Sequence, residues 1–213
     1  MTKLYLVRHG ETVDNVNQIL QGQTPGMLND KGREQAREVA LRMKDAKIDA
    51  FVSSDLHRSI ETCEIIAEPH GMQVRTTPLL RERDWGAFTG RFIPDLKGLV
   101  WPDDVESEET MMMRAVDFLE YITATYPDQR VVAVGHGIIN KAILAVYAHC
   151  PMREVQRVMK SMGSSANRLL TVNCGLRPCC GLRRYCYCCC RQSGWRRCRM
   201  NGFRYQKNGC YWW

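Results

Sequence analysis

Two short apolar runs in this chain end in the same way. Leu4-Tyr5-Leu6-Val7 stops at Arg8-His9-Gly10, and Val131-Val132-Ala133-Val134 stops at Gly135-His136-Gly137. A third run, from Ala50, stops at Ser53-Ser54-Asp55, with Arg58 one turn further on. Two guanidiniums and two imidazoles brought together make a strongly positive pocket. Its natural guest is a dianion, because a guanidinium fork matches phosphate oxygens bidentately. A helix opening at Gly137 would turn free N–H groups toward the same anion, and Gly10 would let the backbone approach it closely. Histidine is near neutral at physiological pH, so His9 offers phosphorus a ring-nitrogen lone pair. Attack would give a phosphohistidine that water then hydrolyses, while the cations stabilise charge on the transferring group. Departure of an alkoxide needs a general acid and hydrolysis needs a base. Glu82, in the run Leu79-Leu80-Arg81-Glu82-Arg83-Asp84-Trp85, is the candidate for both. Glu11, although next to the histidine segment, reads as a residue that orients its neighbours. No metal-ligand cluster is visible in residues 1–173, so the expected chemistry uses neither metal nor cofactor.

These junctions can meet only if the elements before them lie side by side. Leu4–Val7 is apolar throughout, as a strand buried on both faces should be. Ala36, Val39, Ala40 and Met43 recur at helical spacing and predict a helix over 30–45. Residues 50–54 form the next strand. Asp55 is placed to cap a helix carrying Ile60, Cys63, Ile66 and Ala67 on its inner face. Residues 73–80 read as extended. Ser107 caps a helix to about Thr125 with Met112, Val116, Leu119 and Ile122 inward. A strand at 131–134, a helix from Gly137 to about Ala148, a short helix over 152–162 and a strand starting at 169–172 complete the order. Alternating strands and helices predict a three-layer α/β/α sandwich around a mainly parallel sheet. Ligands bind such sheets outside the carboxyl ends of the strands, where the Arg8-His9, Ser54-Asp55 and Gly135-His136 junctions lie. His57, His70 and His149 lack this setting and read as structural.

Composition divides the 213 residues in two. The formal charge is +7, yet residues 174–213 hold eight Arg, one Lys and no acid, leaving residues 1–173 at −2. Nine of the eleven cysteines also fall in 174–213. A mildly acidic body with only Cys63 and Cys150 suits a reducing compartment and gives no basis for nucleic-acid binding. The tail lacks the paired, separated Cys-x-x-Cys knuckles of a zinc site and shows neither strand nor helix periodicity. Its Cys, Arg, Trp and Gly share G-rich codons. Residues 174–213 are therefore expected to be disordered or the product of a frameshift, beside a domain over 1–173. The charge at Arg8 leaves no room for a signal peptide, and no apolar stretch approaches the roughly 20 residues that cross a bilayer. A cytoplasmic protein without membrane contact is expected.

Taken with Asn15, the Gln21-Gly22-Gln23 turn, residues 28–36, the block over 53–62 with Ser53, Arg58, Ser59 and Thr62, residues 82–90 and Glu106-Ser107, these junctions resemble the histidine phosphatase superfamily, also called the phosphoglycerate mutase-like family. The resemblance covers residues 1 to about 172. It implies His9 as the phosphorylated nucleophile, Arg8, Arg58 and His136 as the phosphate pocket, and Glu82 as the proton donor. Asn15, Gln21 and Gly22 would contact phosphate or substrate. Two activities share such a pocket. A phosphatase passes the phosphoryl group to water; a cofactor-dependent mutase passes it to another hydroxyl. Mutases of the family carry a long basic insertion after the block that matches 82–90. Here residues 91–106 are short, with Arg91 and Lys97 against Asp95, Asp103, Asp104 and Glu106, and Phe92, Ile93, Leu96, Leu99 and Trp101 suggest a small apolar lid. The expected activity is a phosphomonoesterase of broad-specificity or α-ribazole-phosphate type, acting on a small phosphorylated metabolite, with a homodimer possible. The alternatives are a 2,3-bisphosphoglycerate-dependent phosphoglycerate mutase and a catalytically impaired member that binds phosphorylated ligands. Family members continue the strand at 169–172 into a segment that can close over the site. The tail here does not follow that pattern, which would leave the site open to water and favour hydrolysis.

Overall fold

The computed structural model describes residues 1–157, together with the backbone of 169–174, 205–206 and 209–210. Strands β1 (Thr2–Arg8), β2 (Ala50–Ser54), β3 (Val74–Thr77), β4 (Arg130–Gly135) and β5 (Leu169–Cys174) form one sheet in the order β3-β2-β4-β1-β5. β1 to β4 run parallel, and β5 is antiparallel to β1. The helices are α1 (Val13–Val16), α2 (Asp30–Met43), α3 (His57–Ala67), α4 (Glu108–Thr125) and α5 (Gly137–Ala148). The expected α/β architecture is therefore present, with one antiparallel edge.

Strand alternation sorts the core into two layers. Val7, Phe51, Val132 and Val134 pack with Val39 and Met43 of α2 and Cys63, Ile66 and Ala67 of α3. Leu4, Leu6, Val131 and Ala133, also buried, point to the other face, where α4 and α5 lie together and α5 meets β1. Each fully buried aliphatic or aromatic side chain contributes about 1.5–3 kcal/mol of transfer free energy. The chain leaves β1 toward β2 and leaves β4 toward β5, in opposite directions along the sheet. A crevice opens between neighbouring strand ends where directions diverge, and the ends concerned are Arg8 and Gly135.

The helix starts are capped as physical chemistry requires. The Asn29 side chain accepts the Gly32 N–H at 2.7 Å, and Ser107 Oγ accepts the Thr110 N–H at 3.1 Å. Glu108 and Glu109 in the first turn of α4 face the positive end of its dipole. Two expectations need correction. Asp55 does not cap α3. Leu56, whose side chain has no acceptor, is the N-cap, and both Asp55 oxygens are taken by Arg81 at 2.8 and 2.6 Å. A bidentate guanidinium outcompetes a single amide. The inner stripe of α4 is also rotated: Met111, Ala115 and Phe118 are buried beside Leu119 and Ile122, whereas Met112 and Val116 are half-buried.

The extended 73–80 segment becomes β3 followed by a 3₁₀ turn at Pro78–Leu80. Of the helix expected over 152–162, Met152–Glu154 is a 3₁₀ turn and 155–157 are helical, while the remainder lies outside the described residues. The chain divides into two units, Met1–Gly175 and Leu176–Trp213. In the second, Tyr205–Gln206 pairs antiparallel with Gly209–Cys210. The expectation of disorder or a frameshift otherwise falls outside the described residues. Among the described residues, no helix is long and apolar enough to cross a membrane.

Candidate active site

His9 leaves β1 one residue past Arg8, and its amide continues the ladder by donating to Gly135 O at 3.0 Å. The ring is buried, and Nδ1 lies 2.7 Å from Gly10 O. A carbonyl oxygen can only accept, so Nδ1 carries the proton and Nε2 holds the lone pair. That is the tautomer a nucleophilic imidazole needs, set here by a bond to the next residue.

His136 follows β4 as the N-cap residue of α5 and is fully buried. Its ring centroid stands 5.0 Å from that of His9. Its Nε2 is 3.2 Å from Ser59 Oγ, and its buried Nδ1 has no partner. Burial pushes His136 well below the usual imidazole range, and Arg58, His9, Arg8 and Arg114 push in the same direction. His136 is therefore a neutral ring in a cationic setting.

Arg58, one residue into α3, is almost wholly buried. Its Nη1 donates to Thr24 O at 2.5 Å and to Pro25 O at 3.3 Å, and its Nη2 donates to Gly22 O at 2.8 Å. Its buried Nε has no partner. Burial lowers this guanidinium to about 10, against the opposing pull of Glu82 and Asp14. Arg58 is thus placed to hold the 22–25 turn by both terminal nitrogens, leaving Nε and its field for a guest. Gly22 adopts φ +53°, which an L side chain rarely does, and a Cβ there would stand 3.0 Å from Thr89 Oγ1.

Glu82 lies across the crevice, half-buried. The Ile138 amide donates to its Oε1 and Oε2 at 3.1 and 3.2 Å, and the Arg83 amide donates to Oε1 at 2.8 Å. Oε1 thus accepts two amides and Oε2 shares one, so Oε2 is the oxygen better suited to carry a proton. The first turn of α5, expected to receive phosphate, gives its Ile138 N–H to this carboxylate instead. Gly137 stands between Glu82 and Arg8: a Cβ there would be 3.5 Å from Glu82 Oε2 and 3.6 Å from Arg8 Cζ. Arg8 is exposed, so its fork is open to a guest. The structure therefore brings Arg8, His9, His136, Gly137 and Glu82 together, with Arg58 behind them.

Asn15 and Gln21 meet through Thr12. Asn15 and Thr12 form a reciprocal capping box on α1, and Gln21 Nε2 donates to Thr12 Oγ1 at 2.7 Å. Asn15 is exposed and Gln21 buried, with Gln21 Oε1 lacking a partner. Glu11 accepts Asn29 Nδ2 at 3.0 Å and Lys31 Nζ at 3.1 Å. It fastens the start of α2, in keeping with an orienting role. Gly10 has a packing use besides the one expected. A Cβ on it would stand 2.4 Å from Gly32 O, so its smallness admits the first turn of α2. No group of three His, Cys, Asp or Glu among the described residues could hold a metal ion.

Residues 4–167 match the sequence profile of the histidine phosphatase superfamily, branch 1. The chain belongs to the histidine phosphatase superfamily. Over 96 residues it is 47% identical to the probable phosphoglycerate mutase GpmB of Proteus mirabilis, covering 45% of each chain. It thus spans less than half the length of that relative. Over 148 residues it is 35% identical to the uncharacterized phosphatase PhoE of Bacillus subtilis, covering 68% of this chain and 76% of the other. The solved structure of a mycobacterial glucosyl-3-phosphoglycerate phosphatase superposes with a TM-score of 0.64 at 28% identity, covering 73% of this chain and 83% of that one. In this member of the superfamily the candidate residues sit at the ends of β1 and β4, at the start of α3 and on the loop that carries Glu82.

Four supporting residues were given no role in the sequence reading, although Thr12, Ser59 and Thr62 lie inside the matched blocks. Thr62 Oγ1 accepts the Gly10 N–H at 3.1 Å and donates to Arg58 O at 2.7 Å. Ser59 reaches His136, Thr12 joins Asn15 to Gln21, and Arg114 gathers the Glu82 loop. Thr12-x-x-Asn15 is legible as a capping pattern. Ser59 and Thr62 sit one and four positions after Arg58, on the helix face toward the strand ends. Nothing in the sequence marks Arg114.

Proposed function

We propose that the chain is a metal-independent phosphomonoester hydrolase that acts in the cytoplasm on a small phosphorylated metabolite. The reading rests above all on His9: Nδ1 is fixed on Gly10 O, which leaves Nε2 as the nucleophilic nitrogen beside Arg8 and His136. In the first step, Nε2 attacks phosphorus and the ester P–O bond breaks. The Oε2–H of Glu82 gives its proton to the leaving oxygen, which departs as an alcohol. In the second step, Glu82 takes a proton from water as the water oxygen attacks phosphorus. The P–N bond breaks, and inorganic phosphate leaves with His9 restored. Arg8, Arg58 Nε and His136 stabilise the charge on the phosphoryl oxygens throughout.

The substrate class follows from what surrounds the crevice. Phe92, Ile93, Leu99 and Trp101 are exposed on the segment facing the site loops, and Asp95, Asp103 and Asp104 outnumber Arg91 and Lys97, Glu106 being paired with Arg114. A polyanionic guest finds little complementary charge there, which supports hydrolysis of a monoester of broad-specificity or α-ribazole-phosphate type. The phosphatase names of PhoE and of the mycobacterial structure support the same reading. Phosphoglycerate mutase activity is the second reading, and the 47% identity to a relative named as a probable mutase favours it.

One experiment separates these readings. The full chain is supplied with a panel of small phosphomonoesters beside 3-phosphoglycerate plus 2,3-bisphosphoglycerate, with and without a chelator. Phosphate release from monoesters, unaffected by chelator, with an acid-labile and base-stable phosphoryl group trapped on His9, is the expected result. Isomerisation of phosphoglycerate exceeding hydrolysis would replace the phosphatase reading with the mutase. Turnover surviving His9→Ala would overturn both.

A further inference from the structure

Glu82 lies in a loop with no regular secondary structure, yet its carboxyl has to meet a leaving oxygen to within a few tenths of an ångström. The segment around it is gathered by one side chain. Arg114, on the second turn of α4, donates from Nη1 to Arg81 O at 2.5 Å and to Leu79 O at 3.1 Å, and from Nη2 to Glu82 O at 3.4 Å. Three carbonyls before and at the acid therefore converge on a single guanidinium.

Glu106 holds that guanidinium in turn. Its Oε1 accepts from Arg114 Nε at 3.1 Å and Nη2 at 3.0 Å, and its Oε2 accepts from Nη2 at 2.8 Å. The two side chains are 15% and 8% exposed, which sets this pair apart from the other ion pairs of the described residues. Glu106 also binds the loop beyond the acid: Oε2 accepts the Asp84 N–H at 3.1 Å, and Glu106 O accepts Arg83 Nε at 2.7 Å. Residues 79 to 84 are thereby fixed on both sides of Glu82 by one buried pair at the start of α4. The planar fork matters, because an ammonium cannot face several carbonyls and a carboxylate in one plane.

We propose that Arg114, held by Glu106, is the positioning residue for Glu82 and sets where its carboxyl stands against the leaving oxygen. This rests on reading Glu82 as the proton donor. Arg114 itself touches no reacting atom. Its loss should slow the step that needs a proton and spare the step that does not. An alkyl phosphate must have its leaving oxygen protonated, whereas nitrophenolate departs unaided.

The test compares turnover of glycerol 3-phosphate and p-nitrophenyl phosphate in the full chain carrying E82Q, R114Q, R114K, E106Q or E82Q with R114Q. E82Q should lose about a hundredfold on the alkyl ester and about threefold or less on the aryl ester, as removal of a general acid requires. R114Q and E106Q should show the same selectivity at roughly tenfold on the alkyl ester, with R114K between them and the parent. R114Q should add nothing to E82Q. Should R114Q not fold, R114K and E106Q decide by the same ratio. Equal losses on both esters in the Arg114 and Glu106 variants would overturn the positioning role while E82Q still discriminates. So would an R114Q loss that multiplies that of E82Q. Equal losses in E82Q itself would overturn the acid reading, and the positioning role with it.

Discussion

His9 and His136 stand with ring centroids 5.0 Å apart and planes inclined by 57°. The contact is a consequence of strand register. Val7 pairs with Val134 and Arg8 with Gly135 on adjacent parallel strands, so the next residues of the two strands arrive together. Two imidazolium ions at that spacing would repel strongly in a buried setting. Burial resolves the conflict by keeping His136 uncharged, so the two rings can share the crevice without repulsion between two cations.

That neutral ring makes stability depend on pH in a definite direction. In the unfolded chain His136 takes up a proton near its ordinary value of about 6.5; in the folded chain it does so only at much lower pH. Between these values the unfolded state binds the extra proton. Stability from this group is therefore intact above about 6.5 and falls as the pH drops, by up to about 1.4 kcal/mol per pH unit. Urea melts at pH 7.5 and 5.5 should show the parent losing about 1 kcal/mol more than His136→Asn. The same loss in both proteins would contradict the assignment.

Arg58 should resist conservative replacement. Lysine keeps the charge, but a single ammonium cannot serve the carbonyls of Gly22, Thr24 and Pro25 from one buried position. Arg58→Lys is expected to cost about 2–3 kcal/mol of stability, the desolvation penalty of unpaired buried carbonyls. It should also raise KM for phosphomonoesters, because the 22–25 turn loses its anchor. Denaturant melts beside steady-state kinetics check both; unchanged stability would show that the turn stands without Arg58.

The Gly10 and Gly32 contact gives a prediction independent of catalysis. A Cβ on Gly32 would stand 2.0 Å from Glu11 O, and one on Gly10 would stand 2.4 Å from Gly32 O. Both clashes are with backbone, which cannot swing aside, so either alanine must push α2 away from the strand end. Gly32→Ala should destabilise by about 2–3 kcal/mol, the range of overpacking in close-packed regions. A melting temperature equal to the parent's would show that α2 is free to shift.

Most of this architecture was legible because its signals are local. Four apolar residues before Arg8 and four before Gly135 can hardly be anything but buried strands, and the switch-point rule then brings His9 and His136 together. The misreadings came where distant residues compete for the same group. Asp55 has the type and position of a helix cap, but Arg81, twenty-six positions later, offers two donors in place of one. Met111, Met112 and Met113 are interchangeable in an apolar pattern, so the rotation of α4 could not be set from them. The second use of Arg58, holding a turn, was hidden as well, because nothing local reveals that residues more than thirty positions earlier present it with three carbonyls. The same holds for Arg114, whose partners become visible only once α4 lies against the loop.

Ser59 offers the sharpest check on how the pocket recognises an anion. Its hydroxyl has one proton and two acceptors in reach, His136 Nε2 at 3.2 Å and Gly135 O at 3.5 Å. An Nδ1–H that can serve an anion requires the tautomer in which this proton goes to Nε2. His136 then accepts at Nε2 and carries its own proton on Nδ1, the buried atom without a protein partner. This is the form that can donate to a phosphoryl oxygen while the ring stays neutral. Without the hydroxyl, the proton can move to Nε2, and Nδ1 becomes an acceptor that repels an anion. Ser59→Ala should therefore weaken inhibition by inorganic phosphate and by vanadate about tenfold, equivalent to one hydrogen bond to a charged group at about 1.5 kcal/mol. Stability should fall by only about 1 kcal/mol, because the ring remains packed. Calorimetric titration with vanadate at pH 7.5 measures the first quantity and urea melts the second. Undiminished vanadate affinity in a folded Ser59→Ala protein would mean that another group sets the His136 tautomer.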